Sequence, residues 1–507
     1  MNMTFLPMLS MLIGLPIIGA LLIAFLPNVN WAKKMALTTA VVELLMALKL
    51  VFSFDSGNSD FQFVEHYAWI SSLNADFFLG VDGISILFLP MTALLMIVVI
   101  IASWHNVQHL TRLHFALLLV LESATIGVFS ALDMLLFFLF WEATLPPIFF
   151  LIGLWGMGAK RSQAALKYTL FMLCGGVPLL FAIILLAVNH AEQSGELIAE
   201  GLSFNFPILL NTPISDHLQV VILLLFVLGF AVKTPLVPFH TWLPTVAMES
   251  PTQLSALLMG LKLGAFGLLR FALPLAPSAA GHYAWLLALF GAVTLIYGAL
   301  IALRQTNLRQ LLAYLSISHV GFVVMGIASL TLQSLQGVLF QLLNFTLIAS
   351  SLMLIAGFMQ QRLGSTELVH LGGLAKVIPK CCVFFYLFSV ASIGMPLTSG
   401  FPAEMLLIIG VFKHQFGFGL VGLLGAILGA AALFIFIQKA FLGEVRQSPI
   451  YQLVDLRPYE IWVLCMPFAL VLIFGLWPQC LLDISQGSLL LWLSRLVDLP
   501  LTLSLTT

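Results

Sequence analysis

Long apolar stretches, each about the length of a membrane-spanning helix, follow one another along almost the whole chain. A span needs about 20 mainly apolar residues, and fourteen stretches meet that requirement. They lie approximately at 6–26, 34–54, 83–103, 113–131, 134–155, 164–188, 218–245, 251–272, 283–303, 308–328, 333–359, 381–412, 416–438 and 460–480. A late apolar stretch near 487–500 includes or adjoins Asp483, Arg495 and Asp498, which favours a helix at the membrane interface. The pattern predicts an all-α integral membrane protein.

The composition excludes an ordinary soluble domain. Charged residues make up 8% of the 507 positions, against about 25% in soluble domains, and hydrophobic residues make up 61%. The net charge of −1 gives no reason to expect nucleic acid as a partner. The first apolar stretch lacks a preceding basic region and a small-residue cleavage site, so we expect a first span and not a removable signal.

Basic residues alternate with the predicted spans. Cytoplasmic loops of membrane proteins carry an excess of Lys and Arg. Thirteen of the 20 Lys and Arg residues follow odd-numbered spans, from Lys33 through Arg446 to Arg457, whereas the loops on the other side are acidic, with Asp55 and Glu196 among their residues. This alternation favours fourteen spans with both termini on the non-cytoplasmic side.

Prolines interrupt two of the predicted spans. Pro235 and Pro238 lie in AVKTPLVP of span seven, and Pro396 and Pro402 lie in MPLTSGFPAE of span twelve. Proline removes a backbone donor and clashes with the preceding turn, and broken backbone is tolerated in a membrane only where it is buried in protein or lines a wet cavity. Each broken span is fourth in a block of five. Blocks of odd span number face opposite ways, which predicts two inverted repeats with a transport site near the midplane.

These repeats divide the chain into four segments. We expect an N-terminal three-helix segment at 1–112, a first five-helix repeat at 113–272 and a second, inverted repeat at 273–438. Residues 439–507 would form a C-terminal helix and an interfacial tail.

Five ionisable residues lie inside the predicted spans, where burial is costly: Glu142, Lys233, Lys262, His319 and Glu404. An ionisable residue within a span is a candidate functional site. Burial raises the pKa of a carboxyl group and lowers that of an amine by up to about 3–5 units, and a nearby opposite charge reverses the trend. A lysine that gains and loses a glutamate partner would therefore take up and release a proton. The residues predict a proton pathway that needs no cofactor.

Purely structural roles are the alternative to this interpretation. A single buried charge can be a structural ion pair, and a lone imidazole is more often a hydrogen-bonded core residue than a relay. Five such groups, two of them at broken helices, favour transport. The candidates for auxiliary or packing roles are Glu122, Lys167, His240, Tyr314 and Ser318.

Four further charges are expected to have no role in transport. Glu43 and Lys49, six residues apart in span two, indicate a structural pair. Arg270 and Lys439 lie near span ends, where long basic side chains reach towards the interface.

Motifs for energy-yielding chemistry are missing from the sequence. It contains no phosphate-binding loop for ATP and no dinucleotide fingerprint followed by an acidic residue. The five cysteines show no metal-ligand spacing, and no Cys or His cluster predicts haem or iron–sulfur ligation. We therefore expect no cofactor and no metal in this chain, and a partner subunit or an ion gradient must drive it.

Several segments resemble the antiporter-like membrane subunits of the complex I superfamily. They are GVDGIS (80–85), FWEATLPP (140–147), AVKTPLVPFHTWLP (231–244), LKLGAFGLLRF (261–271), RQTNLRQLLAYLSISHVGF (304–322) and MPLTSGFPAE (395–404). The sequence is most similar to the M subunit of bacterial complex I, its mitochondrial equivalent subunit four and the D subunit of the photosynthetic NDH complex. The resemblance implies a pair of Glu142 with Lys233, a middle relay at Lys262 with His319 beside it, and a terminal proton site at Glu404.

The resemblance also implies a function and partners. We expect a non-redox, proton-translocating subunit of a quinone oxidoreductase in a bacterial inner membrane or a cyanobacterial thylakoid membrane. Quinone, NAD(P)H or ferredoxin and iron–sulfur clusters would be bound by partner subunits, and other membrane subunits and the bilayer would surround the chain. Two alternatives remain: a subunit of an Mrp-type Na⁺/H⁺ antiporter, which shares this fold, and a structural subunit that does not pump.

Two positions depart from the family pattern. Phe345 in QLLNFTL (341–347) stands where a histidine is expected, and Ala247 in LPTVAMESP replaces another. The first change weakens an imidazole bridge between Lys262 and Glu404. Either the side chains of span eleven and water cross this gap, or the path bends elsewhere. The side chains concerned are Asn344 and Thr346.

Such departures suggest a specialised paralogue. A candidate is the D-type subunit of the cyanobacterial NDH complex for inducible CO2 uptake. In that complex, proton movement is tied to CO2 hydration in a partner subunit.

Overall fold

The computed structural model describes residues 7–195, 198–445 and 453–496. The start of the first predicted span lies outside these ranges, and so do Glu196, Arg446 and Asp498 of the charge pattern. The described chain is almost entirely helical, which confirms the predicted fold class.

The N-terminal segment contains three helices and a β-hairpin. Its elements are α1 (Met8–Phe25), α2 (Val29–Phe52), β1 (Gln62–Ile70), β2 (Ala75–Val81) and α3 (Phe88–Ser103). The strands are antiparallel, with His66 opposite Phe78, and Asn74 turns the chain between them in a left-handed conformation (φ 50°). The sequence analysis missed this hairpin. In β1 only Glu65 is fully buried, so the strand shows no alternation of buried apolar and exposed polar residues.

The first predicted repeat is built from helices that often divide one span between them. They are α4 (Thr111–Ser130), α5 (Met134–Ala143), α6 (Leu145–Trp155), α7 (Arg161–Ser194), α8 (Ile198–Gly201), α9 (Phe206–Asn211), α10 (Asp216–Lys233), α11 (Trp242–Glu249), α12 (Thr252–Gly260) and α13 (Leu263–Gly267). A short 3-10 turn, Phe239–Thr241, leads into α11, and a π-helical turn, Leu268–Ala272, continues α13.

The second predicted repeat and the C-terminal part follow. Their helices are α14 (Pro277–Arg304), α15 (Leu308–Ala328), α16 (Leu332–Asn344), α17 (Ser350–Leu363), α18 (Pro379–Ser392), α19 (Gly400–His414), α20 (Phe416–Ala440), α21 (Pro458–Leu476) and α22 (Gln479–Leu496). A π-helical turn, Phe345–Ala349, joins α16 to α17, and the short 3-10 turns Leu368–His370 and Leu374–Lys376 precede α18.

Twelve helices of the described chain are long and apolar enough to cross a membrane. Two shorter apolar helices, α3 and α18, lie at predicted spans three and twelve. Every predicted span therefore falls on helix, and the chain is a multi-pass membrane protein. The count of fourteen membrane crossings and the orientation of the termini stay predictions.

The centre of the bundle is formed by three spans. In the most apolar part of Thr252–Ala272 and of Leu308–Ala328, 89% of the residues are buried, and in that of Leu332–Leu363 the buried share is 94%. In Pro458–Leu476, by contrast, the buried share is 28%. These central spans carry Lys262, His319, Asn344 and Thr346, which are costly to expose to lipid. These four predicted residues therefore lie on the most deeply buried spans of the bundle.

Arg270 corrects one prediction. Its side chain does not reach towards an interface: it is 5% exposed, and its Nη1 lies 2.5 Å from Asp82 Oδ2. The rings of Phe61 and Phe206 flank the guanidinium at 4.8 and 5.3 Å. Trp492 of α22 donates to the carbonyl of Leu269 next to Arg270 (2.8 Å). A buried ion pair thus joins the GVDGIS segment to the first repeat, beneath α22.

Candidate functional site

Lys233 is the last residue of α10 and lies at the first predicted helix break. The helix ends here because Pro235 and Pro238 lack the backbone donor that a further turn would need. The Lys233 ammonium donates to the Trp141 carbonyl (3.2 Å) and to Thr144 Oγ1 (2.9 Å), and it lies 3.9 Å from the centroid of the Trp141 ring. The junction between α5 and α6 therefore holds the lysine.

The backbone of this break is satisfied by specific donors. Trp242 Nε1 donates to the carbonyl of Val232 (2.8 Å), and the amide of Leu236 donates to the carbonyl of Ala231 (3.0 Å). Buried carbonyls without donors would be costly, so these contacts make the interruption a stable feature of the fold.

Glu142 occupies the same junction as the residues that bind Lys233. It is the penultimate residue of α5, between Trp141 and Thr144. Its carboxyl group rests against Gly176 of α7, where an added Cβ would overlap Oε1. This Oε1 atom is buried and accepts no hydrogen bond. The position offers the carboxylate little stabilisation.

The expected ion pair between Glu142 and Lys233 is not formed in this structure. In the part of the chain that the structure describes, no Lys233 nitrogen lies within 4.0 Å of a carboxylate oxygen. The lysine is bound by Trp141 and Thr144 instead, which lie on either side of Glu142 in the chain. Both partners are thus present at one junction in an unpaired arrangement.

Lys262 lies at an interruption that the sequence analysis did not predict. Its backbone (φ −103°, ψ 56°) separates α12 from α13. The side chain is buried, and Nζ donates to Ser316 Oγ of α15 at 2.8 Å. Nζ also lies 5.0 Å from the centroid of the Phe345 ring. In the absence of a carboxylate partner, a hydroxyl and an aromatic face are what stabilise this amine.

The two lysine-bearing breaks pack directly against each other. Gly264 of α13 lies on the end of α10, where an added Cβ would be 2.6 Å from the Thr234 nitrogen and 2.8 Å from the Phe230 carbonyl. A cavity of about 30 Å³ lies alongside, and Lys233 and Thr144 are among its lining residues. One water needs about 10–15 Å³ of such space, so the cavity is large enough for a water beside Lys233.

Phe345 fills the place where a histidine was expected. Its ring is 2% exposed, with the Lys262 amine 5.0 Å from the ring centroid and the centroid of the His319 ring 6.4 Å away. It begins the π-helical turn Phe345–Ala349, and π-helical turns are frequent at functional sites. The structure thus places both Lys262 and His319 near an apolar ring.

Asn344 and Thr346 contact two different breaks. Thr346 Oγ1 donates to the carbonyl of Gly260 (3.1 Å), just before Lys262. Asn344 donates to the carbonyl of Ser399 (3.0 Å) and accepts from its hydroxyl (2.6 Å), just before α19. Span eleven therefore carries polar groups from the Lys262 break to the second predicted break.

Glu404 is placed by that second break. The chain leaves the helical path between α18 and α19, with Gly394 at φ 74° and Leu397 at φ 76°. An added Cβ at Gly394 would lie 2.6 Å from Glu404 Oε2, so the carboxyl group rests on the glycine. Pro396 is exposed within the break and Pro402 lies in the first turn of α19. Both predicted breaks are present.

Two auxiliary candidates lie beyond the first break. Lys167 Nζ donates to the Thr241 carbonyl (2.8 Å) and to Thr245 Oγ1 (2.9 Å). His240 is buried, and its ring packs edge-on against Tyr297 at 4.9 Å.

The remaining candidates lie on α4 and α15. The Tyr314 ring lies 6.5 Å from that of His240. Ser318 donates to the carbonyl of Leu295 (2.9 Å), so its hydroxyl joins α15 to α14. Glu122 of α4 lies beside Glu43 of α2.

The sequence analysis missed three polar side chains that touch the site. They are Thr144 on Lys233, Ser316 on Lys262 and Ser399 on Asn344. Ser316 precedes His319 by three residues, and helical spacing alone places these two on one face. Thr144 lies within the FWEATLPP segment.

The sequence matches known membrane subunits over most of its length. Residues 131–429 match the family described as NADH:quinone oxidoreductase/Mrp antiporter, TM. The chain is 36% identical over 492 residues to NADH-quinone oxidoreductase subunit M of Rickettsia prowazekii, which covers 95% of this chain and 98% of that protein. It is 32% identical over 485 residues to NADH-ubiquinone oxidoreductase chain 4 of Arabidopsis thaliana, with 95% and 96% covered.

A solved structure shares the architecture. One chain of respiratory complex I from Thermus thermophilus, determined with bound NADH, superposes with a TM-score of 0.86 at 27% identity. The match covers 96% of this chain and 100% of that one. The similarity thus extends beyond the two predicted repeats to the N-terminal and C-terminal helices.

Proposed function

The chain belongs to the NADH:quinone oxidoreductase/Mrp antiporter family of membrane subunits, as a homologue of subunit M and of mitochondrial chain 4, and we propose that it translocates protons within a complex I-type quinone oxidoreductase. The proposed path runs through Glu142, Lys233, Lys262, His319 and Glu404. The chain takes no part in redox chemistry, and partner subunits oxidise NAD(P)H or ferredoxin, reduce quinone and supply the driving energy.

One observation carries this proposal: four of the five ionisable groups, all but His319, lie at or beside helix interruptions that polar side chains connect. Lys233 and Lys262 lie at two breaks that touch through Gly264 and Thr234. Span eleven reaches from the second of these breaks to the one that positions Glu404. Irregular backbone at membrane depth is tolerated where it serves a polar interior, which is what a proton path requires.

The unpaired arrangement of Glu142 and Lys233 suggests how the path is driven. Movement of the Glu142 carboxylate from Gly176 towards Lys233 would stabilise the ammonium, because opposite charges attract strongly in a poorly solvated site. Its withdrawal would leave the ammonium with Thr144 and the Trp141 carbonyl only. The proton then passes from Nζ through cavity water to the neutral Lys262 amine, and Lys233 becomes neutral.

The second half of the path crosses span eleven. A proton leaving the Lys262 ammonium passes through Ser316 or water to His319 of the same helix as Ser316, since the Phe345 ring can carry none. Polar groups of Asn344 and Ser399, with water, complete the way to the Glu404 carboxylate. Glu404 then releases it on the far side when the next proton approaches.

Three substitutions test the function in the assembled complex. Lys233→Met, Lys262→Met and Glu404→Gln keep side-chain size and remove the titratable group. We expect each to lower the number of protons moved per quinone reduced. Lys49→Met is the matched control, since Lys49 lies in span two but is exposed.

The readout separates pumping from assembly. Complexes reconstituted in vesicles are compared for proton uptake and quinone reduction, with subunit content determined by mass spectrometry. Wild-type proton uptake in all three variants, with full subunit content, would contradict the proposal and support a structural subunit.

A second function is favoured by the family description, which names Mrp antiporters as well. A subunit of that kind exchanges Na⁺ for protons. If ion exchange by the reconstituted complex requires Na⁺ and moves ²²Na⁺ against protons, the antiporter function replaces the one proposed. Proton uptake that is unchanged in Na⁺-free buffer supports the quinone oxidoreductase.

The proposal extends to partners and organisation. Other membrane subunits of the same assembly would flank this chain, and residues 113–272 and 273–438 would form the two inverted repeats. The paralogue for CO2 uptake suggested by Phe345 and Ala247 stays a prediction, together with its CO2-hydrating partner and its thylakoid location. Identification of the proteins that co-purify in mild detergent tests the partner subunits, including the CO2-hydrating one.

A further inference from the structure

Two glutamates outside the proposed path are buried without any donor. Glu43 of α2 and Glu122 of α4 are both 0% exposed. All four of their carboxyl oxygens are buried, and none accepts a hydrogen bond from an N–H or O–H group of residues 7–195, 198–445 or 453–496. The sequence analysis paired Glu43 with Lys49, but Lys49 is exposed. The two carboxyl groups therefore need another source of stabilisation.

The packing of α1 brings these glutamates together. Gly19 of α1 lies where an added Cβ would be 2.7 Å from Thr39 Oγ1 and 3.1 Å from Leu119 Cδ1. Thr39 precedes Glu43 by one turn of α2, and Leu119 precedes Glu122 by nearly one turn of α4. Close approach of three helices at a glycine thus sets both glutamates at one level. Their carboxyl groups are neighbours.

No cation faces this pair from the helices that pack around it. Helices α1, α3 and α6 contain no ionisable residue, and the only one in α5 is Glu142. The other ionisable groups of α2 and α4 lie towards the helix ends and have other surroundings. Lys33 donates to the Trp104 carbonyl (2.5 Å), Lys34 lies over the Trp31 ring, Arg112 donates to the Pro27 carbonyl, and the His114 ring packs on Trp155.

Two carboxylates in such a place cannot both be ionised. Each would bear a buried charge without partner, next to a like charge in an apolar site. If one of them holds a proton, its O–H donates to the other, and both unsatisfied groups gain a partner. A single proton neutralises one of the two buried charges, removes the repulsion between them and gives the remaining carboxylate a donor.

We propose that Glu43 and Glu122 form a proton-binding carboxyl pair, in which an oxygen of one group donates a shared proton to an oxygen of the other. The pair is a second protonatable site, separate from the five residues of the proposed path. The carboxyl pair shares its proton at neutral pH whether or not the chain translocates protons, so this inference does not rest on the proposed function.

Infrared spectroscopy of the purified complex tests the pair. A protonated carboxyl group has a C=O stretch that a carboxylate lacks. The difference spectrum of wild type minus Glu43→Gln/Glu122→Gln should contain this band. In each single Gln variant the band is lost or shifted, because the remaining carboxyl faces an amide.

Glu460→Gln is the control, because Glu460 is buried but paired with Arg362. It should remove carboxylate bands only. If the double variant leaves the protonated carboxyl band at full intensity, the pair is not protonated and the proposal is wrong. A band that stays unchanged in Glu43→Gln would assign the proton to Glu122 alone and overturn the sharing.

A conservative variant tests the pair even if the Gln variants do not assemble. Glu122→Asp keeps a carboxyl group but withdraws it from Glu43 by one methylene. The shared proton then gives a shifted C=O band. An unshifted band in this variant would contradict the shared proton even if no Gln variant can be purified.

Discussion

Glycines decide where two of the buried carboxyl groups rest. The Glu142 carboxyl lies on Gly176, and the Glu404 carboxyl lies on Gly394. Each glutamate belongs to one of the two predicted repeats, so the same device occurs in both. A glycine leaves room for a carboxyl group that can move away again, because glycine has no side chain that could bind the carboxyl group by a hydrogen bond.

Gly176→Ala tests this device at the first repeat. The added methyl overlaps Glu142 Oε1 and should push the carboxylate out of its unpaired position. We expect the rate of proton uptake to fall about tenfold, which corresponds to about 1.4 kcal/mol in the barrier. Proton uptake by reconstituted vesicles measures it.

Gly153→Ala is the control for that substitution, because an added Cβ at Gly153 meets no atom within 4 Å. Equal proton uptake in the two alanine variants would show that the resting place of the Glu142 carboxyl has no effect on translocation.

At the scale of elements, span eleven connects two interruptions. Helices α16 and α17 meet at a π-helical turn, which places Asn344 towards Ser399 and Thr346 towards Gly260. A regular α-helix has 3.6 residues per turn, so the side chains of residues two apart point to nearly opposite sides. That geometry lets one span serve the Lys262 break and the Glu404 break together.

Removal of either polar group should interrupt transfer between those breaks. Thr346→Val and Asn344→Leu keep the volume and remove the hydroxyl or the amide. We expect proton uptake to fall in both variants, with quinone reduction less affected, in vesicles that contain the whole complex.

Ser351→Ala is the matched control in the same span, since Ser351 donates only to the Leu347 carbonyl of its own helix (2.6 Å). Unchanged proton uptake in Thr346→Val and Asn344→Leu would mean that the path crosses elsewhere, as the sequence analysis left open.

At the scale of the whole molecule, the Asp82–Arg270 pair joins distant parts of the chain. Asp82 also accepts from the amides of Ile84 and Ser85 (both 3.1 Å), and the Gly83 amide donates to Ser488 of α22 (2.9 Å). The N-terminal segment, the first repeat and the C-terminal helix therefore meet at one buried ion pair.

Replacing only one residue of this ion pair should destabilise the protein more than replacing both. Asp82→Asn and Arg270→Met each leave one buried charge without partner, a cost of about 3–5 kcal/mol. The double variant leaves none and should be less destabilised than the sum of the two single variants. Thermal unfolding of the purified complex measures the three effects.

Asp76→Asn supplies the control, because the His66–Asp76 pair is largely exposed and such pairs contribute about 0–1 kcal/mol. Strictly additive effects of Asp82→Asn and Arg270→Met would show that the two charges do not stabilise each other.

The amino-acid sequence determined the membrane class, the helical spans, the proline breaks and the five central ionisable residues. These features are local: about 20 apolar residues span a membrane, a proline removes a backbone donor at its own position, and a charge in an apolar run is visible by itself. The resemblance carried by segments such as FWEATLPP led to the right family for the same reason, since the residues are contiguous.

Only the tertiary structure decided what those residues touch. The break at Lys262 has no proline and is stabilised by Thr346 and Ser316 from other spans. The partners Asp82 and Arg270 are 188 residues apart in the chain, and Glu43 and Glu122 meet because Gly19 lets three helices approach. Contacts between spans depend on how helices pack around small residues, and the apolar pattern of one span carries no record of its neighbours.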